Sequence, residues 1–238
     1  MTEIPKNHPR YESLRIRELL VRGVEEGVTS KAGLIAHGRG EAFDYLIGER
    51  TAEEAELAER AALGALLSAK NPVISVNGNV AALVPRETVL LSERVGAKLE
   101  VNLFHRTEQR MKAIRVKLEE HGAVEVLGTE PDAKIPGLDH SRGLCTEEGI
   151  FSADVILVPL EDGDRAQALS AMGKQVITVD LNPLSRTSMC ADITIVDNIT
   201  RAFPNMLTLE PLEIDLDNRE NLSGMMKLMC KTLSSLYE

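Results

Sequence analysis

Three polar segments could bind anions, because each combines glycine, arginine, amide or hydroxyl groups and directly follows a short apolar run. They are residues 77–79 after VISV, residues 105–110 after LEVNLF and residues 180–188 after VITV. Guanidinium groups donate paired hydrogen bonds to phosphates and carboxylates, and backbone amides beside glycine can surround an anion. If the apolar runs are parallel strands of one sheet, their carboxyl ends share an edge and these segments form one binding region.

The first segment is Asn77, Gly78 and Asn79, and it allows two interpretations. Glycine lets the backbone approach a ligand closely, and successive amides at the start of a helix can hold an anion. Asparagine followed by glycine is equally typical of an ordinary tight turn. The residues are therefore candidates for an anion site, with a simple turn as the alternative.

The second segment has His105 and Arg106 just before a predicted helix, with Thr107 as its N-cap and Arg110 in its first turn. Arg106 and Arg110 are four residues apart, so they share one side of that turn. Cations at a helix N-terminus oppose the helix dipole, which makes sense if they face a bound phosphate or carboxylate. The alternative is a solvated basic surface.

The third segment begins with Asp180 at a strand end, where an acidic residue commonly accepts hydrogen bonds from ribose hydroxyls. Arg186, Thr187 and Ser188 follow, and their guanidinium and hydroxyl groups suit phosphate oxygens. Residues 198–201 form another polar strand end after ITIVD. Loops are polar in general, but several such loops beyond neighbouring strands indicate a nucleotide or other phosphorylated ligand.

Several familiar catalytic motifs are missing from the sequence. It has no GxxxxGK[ST] loop and no GxSxG elbow, and GRGEAF has Phe43 where a dinucleotide fingerprint needs its third glycine. That stretch still leaves Arg39 between two glycines, where the backbone can bring it close to a ligand. The five His and three Cys show no metal-ligand spacing, so no metal site is predicted and the cysteines are expected to be unpaired in a reducing cytoplasm.

Composition limits the partners of the chain. Its 238 residues carry a formal net charge of −10 and only 3% aromatics, which argues against binding of nucleic acid by bulk charge or base stacking. No apolar run approaches the about 20 residues that span a bilayer, and the charged N-terminus lacks the apolar stretch of a secretory signal. Neither nucleic acid nor membrane is an expected partner.

The elements that must position these residues alternate in the pattern of βαβ units. Apolar runs at 73–76, 98–104, 124–128, 153–160, 176–181 and 191–197 alternate with helical stretches such as 107–122 and 163–174. This pattern predicts an α/β fold with a Rossmann-like, mostly parallel sheet flanked by helices. We expect a single domain, with an N-terminal helical segment over 1–70, the core over 71–211 and a C-terminal helix within 212–238.

The N-terminal segment carries two clear helix signals. Residues 10–26 should bury one apolar side made of Leu14, Leu19, Leu20 and Val24. Thr51 and Glu54 form a capping box, which predicts that the Thr51 hydroxyl caps the helix that ends before Pro72. The C-terminal stretch 218–237 has a methionine stripe, which predicts helix packing within the chain or at a subunit interface.

Longer stretches resemble one family over essentially the whole chain. They are HPRYESLRIRELL, LIAHGRGEAFDYLIGE, NPVISVNGNVAAL, VNLFHRTEQR and VDLNPLSRTSMCADITIVDNI, and they are similar to archaeal phosphopantothenate synthetase, or 4-phosphopantoate–β-alanine ligase. The resemblance implies a cytoplasmic Rossmann-type homodimer that uses ATP, with Mg²⁺, in coenzyme A synthesis. The implied reaction joins (R)-4-phosphopantoate to β-alanine and yields 4′-phosphopantothenate, AMP and diphosphate, by way of an acyl-adenylate.

The resemblance also implies which residues bind ATP. They are Arg17, Arg39, Asp180, Leu181, Asn182, Arg186, Thr187, Asn198 and Ile199. The phosphate of phosphopantoate needs a second anion site, for which the candidates are Asn77, Gly78, Asn79, His105, Arg106 and Arg110. No residue is assigned as catalytic, because alignment and charge stabilisation should supply most of the rate.

Two other functions fit parts of this pattern. A nucleotide-binding regulatory module without turnover needs the strand-end nucleotide site but no second anion site. A dehydrogenase with a Rossmann-type sheet is disfavoured by the missing glycine fingerprint.

Overall fold

A five-stranded parallel sheet forms the centre of the computed structural model, which describes residues 4–235. The strands are β1 (Val73–Val76), β2 (Lys98–Val101), β3 (Ala133–Lys134), β4 (Leu144–Cys145), β5 (Val155–Leu157), β6 (Gln175–Val179) and β7 (Ile193–Ile195). The main sheet has the order β2-β1-β5-β6-β7, with every neighbouring pair parallel, while β3 and β4 form a separate antiparallel pair. The predicted α/β fold with a mostly parallel sheet is confirmed.

The strand order reverses direction between β1 and β5. From β1 the chain crosses to β2 on one side, and it then returns past β1 to build β5, β6 and β7 on the other. In open parallel sheets, ligands bind outside the carboxyl ends of the strands at such a reversal. The loops after β1, β5 and β6 therefore meet where a ligand is expected.

Helices surround this sheet. They are α1 (Tyr11–Glu25), α2 (Lys31–Ile47), α3 (Glu53–Ser68), α4 (Gly78–Leu83), α5 (Pro85–Val95), α6 (Glu108–Glu119), α7 (Gly163–Ala171), α8 (Arg186–Cys190), α9 (Ile199–Met206) and α10 (Asn218–Ser235). The N-terminal segment is helical, as predicted, and the predicted C-terminal helix is present up to residue 235. Its expected continuation to Tyr237 lies outside the described residues. None of the helices within residues 4–235 is long and apolar enough to cross a membrane.

The strands are buried because both faces of the sheet are covered. Along β5, Ile156 belongs to the apolar cluster that includes Leu169 of α7, whereas its neighbours Val155 and Leu157 belong to the larger cluster on the opposite face. This explains why the strand sequences are continuously apolar rather than alternating. The methionine stripe of α10 packs within the chain, with Met225 and Met229 buried.

The side of α1 that is buried differs from the prediction. It is Ser13, Ile16, Leu20 and Gly23 that are buried, while Leu14, Leu19 and Val24 are only half-buried. The small residue Gly23 explains this rotation. A Cβ added to Gly23 would lie 2.8 Å from the Cβ of Ala82 in α4, so the two helices approach each other closely at this point.

Two further predictions were wrong at the level of single elements. The Thr51 hydroxyl does not cap α3, whose N-cap residue is Ala52; it donates instead to Oδ2 of Asp197 at 2.6 Å. The apolar run 124–128 is not a strand, because only Leu127 pairs, with Glu100 of β2. Val124 is fully exposed, so burial does not favour an extended segment there.

Candidate active site

The larger of two adjacent clefts lies at the carboxyl edge of the sheet and has a volume of about 480 Å³. One wall is α2, and the other is built from the loops after β5 and β6. Its lining includes six of the residues that were predicted to bind ATP, namely Arg39, Asp180, Leu181, Asn182, Arg186 and Thr187. Asn79, from the predicted second anion site, also lines this cleft.

Asp180 shapes the loop after β6. Its Oδ1 accepts a hydrogen bond from the backbone amide of Asn182 at 2.9 Å, and its Oδ2 accepts one from the Ser185 hydroxyl at 2.5 Å. Burial raises the pKa of Asp180, and these hydrogen bonds act in the opposite direction. The carboxylate therefore holds the cleft wall in shape, and its predicted contact with a ribose would use its remaining acceptor capacity.

Two arginines give the larger cleft its positive charge. Arg39 on α2 is exposed and has no ion pair or side-chain hydrogen bond among residues 4–235. Arg186, at the start of α8, is also exposed and pairs with Asp164 at 2.7 Å. Arg39 is thus free to bind an anion, while Arg186 would exchange a surface ion pair of small net value for one with a ligand.

The floor of this cleft is held by a buried group of charges that sequence reasoning missed. Glu161, which lines the cleft, pairs with Arg142 and with Arg165, whose side chain is 0% exposed. Burial would raise the pKa of Glu161, but the two guanidinium groups outweigh it, so the pKa lies below its usual range. The available signal was the spacing of four between Arg165 in the first turn of α7 and Glu161, which directly precedes the N-cap residue Asp162.

This buried group ties the floor to neighbouring elements. Arg165 donates to the Ser75 hydroxyl of β1 at 3.1 Å, and Arg142 pairs with Asp162 at 2.8 Å. The Thr187 hydroxyl donates to the backbone carbonyl of Glu161 at 2.7 Å, which joins the β5 and β6 loops. The cleft is therefore preorganised by contacts beneath its surface.

The smaller cleft lies on the other side of α2 and has a volume of about 280 Å³. Its charged lining is mainly acidic and consists of Glu12, Glu41, Asp44, Glu49 and Arg201. Glu41 forms an ion pair with Arg17 at 2.9 Å and also accepts from the Ser13 hydroxyl at 2.5 Å. The predicted nucleotide residue Arg17 thus lies beside this cleft rather than in the larger one.

Asn198 and Ile199, also predicted for ATP, begin α9 in the same region. The Asn198 amide donates to Asp44 at 2.9 Å, and its oxygen accepts from the Thr200 amide, while Ile199 is buried in the core. Arg201 joins Asp44 and Asp197 at 2.6 and 2.5 Å. The side chain of Asn198 lines the smaller cleft, and contact of these residues with a nucleotide stays a prediction.

Among residues 4–235, His37 is the one residue that lines both clefts. It lies on α2, is half-buried, and its ring makes no hydrogen bond within the described part of the chain. Burial lowers the pKa of His37, which keeps the imidazole neutral near pH 7, although Glu41 and Asp44 act in the opposite direction. Sequence analysis did not single out this residue, because no spacing marks it.

Asn77 connects the loops at the point where the strand order reverses. Its side-chain amide donates to the carbonyls of Pro159 and Leu160 at 2.9 and 3.2 Å. Its oxygen accepts from the amides of Asn79 and Val80, so it caps α4. The segment therefore forms the N-cap and first residues of α4, as the helix start in the sequence suggested, rather than a separate tight turn.

Gly78 and Asn79 pack against the loop before α2. A Cβ on Gly78 would lie 2.5 Å from the carbonyl oxygen of Val28, so only glycine fits. The Asn79 amide donates to the Gly33 carbonyl at 3.0 Å, and its oxygen accepts from Thr29. The first predicted segment is thus fixed in position by contacts with residues 28–33.

The two arginines of the second segment are half-buried and donate to backbone carbonyls. Arg110 donates to His105 at 2.8 Å and to Val28 at 3.3 Å, and its guanidinium lies next to Gly78. Arg106 donates to the carbonyls of residues 128 and 129. Each guanidinium keeps one buried nitrogen without a partner, Nη1 of Arg106 and Nε of Arg110. Arg110 therefore joins the 77–79 segment, whereas Arg106 points to the neighbouring loop, and His105 is exposed.

Comparison of the sequence with known proteins shows the family to which the chain belongs. A profile of the family described as phosphopantothenate/pantothenate synthetase matches residues 54–231. Several relatives carry the name 4-phosphopantoate–β-alanine ligase. The protein of Thermococcus onnurineus is 63% identical over 88% of this chain and 80% of its own length. Those of Thermococcus kodakarensis and Methanosarcina mazei are 56% and 62% identical, over 100% and 87% of this chain and 96% and 81% of their own lengths.

Proposed function

The chain belongs to the phosphopantothenate/pantothenate synthetase family, and on this premise we propose that it is a ligase that joins (R)-4-phosphopantoate to β-alanine with ATP. The observation that carries the proposal is the high identity, over nearly the whole chain, to relatives that bear this name. The clefts at the carboxyl edge of the sheet supply a site in which such a reaction could take place.

The nucleotide is proposed to bind in the larger cleft. Arg39 and Arg186 would neutralise phosphate oxygens, and Asp180 would accept a hydrogen bond from the ribose. The backbone around Leu181, Asn182 and Thr187 would complete the wall. Arg17, Asn198 and Ile199 lie at the smaller cleft. A nucleotide that binds in the larger cleft and also contacts them would extend alongside His37, which lines both clefts.

The phosphate of phosphopantoate is proposed to bind beside the 77–79 segment. Asn79 lines the larger cleft, and Arg110 lies against Gly78 with one nitrogen free to donate. Arg106 and His105 are next to it in sequence. This arrangement would bring the pantoate carboxylate toward the nucleotide, since the β1 and β6 loops share one edge of the sheet.

The proposed reaction has two steps. The pantoate carboxylate attacks the α-phosphorus of ATP, which forms a C–O–P anhydride and releases diphosphate. The amine of β-alanine then attacks the acyl carbon, a C–N bond forms, and the C–O bond to AMP breaks. The arginines would stabilise the charge that develops on phosphate oxygens, and positioning supplies most of the remaining rate.

Mg²⁺ is proposed to accompany the ATP. Among residues 4–235 no group of three or more His, Cys, Asp or Glu side chains is placed to hold a metal. Magnesium commonly relies on phosphates and water with one or two carboxylates, and the chain fits only that mode. The cleft carboxylates Asp180, Glu161 and Asp162 already accept from protein donors, so the triphosphate would provide the main ligands.

A homodimer in the cytoplasm completes the proposal. The described cysteines, Cys145, Cys190 and Cys230, are free thiols, which suits a reducing compartment. Light scattering of the purified chain tests the dimer directly.

The function is tested by incubating the protein with phosphopantoate, β-alanine and ATP. Release of AMP together with 4′-phosphopantothenate is expected, whereas ADP would refute the adenylate route and no turnover would refute the ligase. Arg39→Ala should weaken ATP binding by calorimetry about tenfold to a hundredfold, because a charge-assisted hydrogen bond is lost. Arg219→Ala, an exposed arginine on α10, is the matched control and should bind ATP normally.

The regulatory module is tested with Arg106→Ala, once circular dichroism confirms that this variant folds. A ligase should lose turnover while it still binds ATP, because Arg106 belongs to the second anion site. A module without turnover would show no product in either protein.

A further inference from the structure

We propose that the imidazole of His37 is the general base that takes a proton from the attacking nitrogen of β-alanine. The inference rests on the proposed ligase function and adds a catalytic residue to it. The position of His37 is the first observation that supports this role. His37 lines both the proposed nucleotide cleft and the acidic cleft on the other side of α2.

The chemistry requires a proton acceptor at this point. The nitrogen of β-alanine begins as an ammonium with three hydrogens and ends as an amide with one, so two protons must leave it. One leaves as the neutral amine forms. The other leaves the nitrogen as the C–N bond forms, while the C–O bond breaks and AMP departs with that electron pair. His37 takes this second proton and becomes an imidazolium.

Most carboxylates that line the two clefts already have partners, apart from the exposed Glu49 at the smaller cleft. Asp44 accepts from Arg201 and Asn198, and Glu41 accepts from Arg17. In the larger cleft, Glu161 is paired with two arginines and Asp180 accepts from its own loop. The His37 ring has no such partner in the described chain, so its nitrogen lone pair is available.

The surroundings of His37 suit a base that gains charge. On α2, Glu41 and Asp44 follow at four and seven residues and share its face of the helix. Within residues 4–235, the other charged groups on that side are Glu12 and Arg17 of α1, Glu49 after α2 and Arg201 of α9. The carboxylates outnumber the arginines, so they stabilise an imidazolium, and burial keeps the resting imidazole neutral. The same excess of carboxylates favours approach of an amine rather than of another anion.

The test separates the two half-reactions. Formation of the adenylate is followed as phosphopantoate-dependent exchange of labelled diphosphate into ATP, without β-alanine. Amide formation is then measured with β-alanine and, separately, with hydroxylamine, which is largely uncharged at neutral pH and attacks acyl-adenylates without a base. The variants are His37→Ala and His37→Gln, and His121→Gln, an equally half-buried histidine at the end of α6, is the control.

A general base contributes about 10²- to 10⁴-fold, so the His37 variants should lose about that much in β-alanine transfer. Diphosphate exchange and hydroxamate formation should stay near wild type, and added imidazole should partly restore His37→Ala. Equal losses in exchange and transfer would overturn the proposal, since His37 would then position the nucleotide. Unchanged transfer would overturn it as well. Absence of both exchange and amide formation in the wild-type chain would instead refute the ligase function itself.

Discussion

Glu59 is a buried carboxylic acid whose ionisation should limit the stability of the fold at neutral pH. It lies on α3, is completely buried, and accepts a hydrogen bond from Asn205 at 3.3 Å. Burial, followed by the charge of Asp197, raises its pKa from 4.5 to about 8. The carboxyl group is therefore protonated in the folded chain at pH 7 and ionised in the unfolded chain.

The sign and size of the effect follow from proton linkage. Between pH 4.5 and about 8 the folded state holds a proton that the unfolded state has lost, so the free energy of unfolding falls as pH rises. The slope is about 1.4 kcal/mol per pH unit, which amounts to about 3 kcal/mol by pH 7 and about 5 kcal/mol in full. Below pH 4.5 both states are protonated and the contribution is fully retained.

Glu59→Gln should remove this slope, because glutamine ionises in neither state. The difference in unfolding free energy between variant and wild type should grow in favour of the variant by about 1.4 kcal/mol per unit from pH 5 to pH 8. Oε2 of Glu59 has no hydrogen-bond partner, so the new amide group adds a cost that does not depend on pH. The slope is therefore the diagnostic quantity.

The assay is urea unfolding at pH 5, 6, 7 and 8. The protein concentration is the same in every experiment, so that any contribution of subunit association to stability is the same for variant and wild type. Glu53→Gln, on the exposed side of the same helix, controls for the loss of one carboxylate and should change stability by only about 0.5 kcal/mol. A variant-minus-wild-type difference that stays constant from pH 5 to pH 8 would refute the assignment of a neutral Glu59.

Two other predictions concern packing, one at the buried charges beneath the larger cleft and one at the close contact between α3 and residue 212. Glu161→Gln should cost about 3–5 kcal/mol in urea unfolding, because it leaves Arg142 and Arg165 buried without their carboxylate; a loss below 1 kcal/mol would contradict the buried ion group. Gly64→Ala should cost about 1–3 kcal/mol, because its Cβ would overlap the backbone carbonyl of Leu212. Gly38→Ala, where nothing lies within 4 Å, should instead gain up to about 1 kcal/mol from helix propensity, so equal behaviour of the two alanines would count against the close contact.

The sheet could be predicted because its strands depend on local and repetitive signals. A β-branched run between helix-forming stretches predicted β1 at its observed bounds, and parallel pairing followed from the alternation with helices. The run 124–128 also contains two valines and a leucine but does not form a strand. Its first residue, Val124, is exposed, and only Leu127 pairs with β2. Composition alone does not show which apolar runs pair with the sheet along their whole length.

The lining of the larger cleft could be predicted mainly where residues adjoin a strand end. Asp180 directly follows β6, Arg186 lies in the same loop region, and both line the cleft. Thr51 shows what local reasoning misses. Its hydroxyl had a suitable local partner in the capping box, but Asp197, 146 residues away, competes successfully for it. Glu59, His37 and the pairing of Glu161 with Arg142 likewise depend on segments that only the fold brings together.

The charge distribution resolves the apparent conflict between an acidic chain and anionic substrates. Most of the charges that make up the net charge of −10 lie farther from the cleft than the screening length of about 8 Å in physiological salt. Their repulsion of an anionic ligand is therefore largely screened. Within the larger cleft, the carboxylates Glu161 and Asp180 are held by arginines or by their own loop, while Arg39 keeps its full charge unpaired. A charge-assisted hydrogen bond from that guanidinium to a phosphate contributes about 1.5–3 kcal/mol, which exceeds the screened repulsion of distant groups. Binding of a phosphorylated ligand is therefore decided by how the carboxylates are paired at the cleft, and hardly at all by the total charge of the chain.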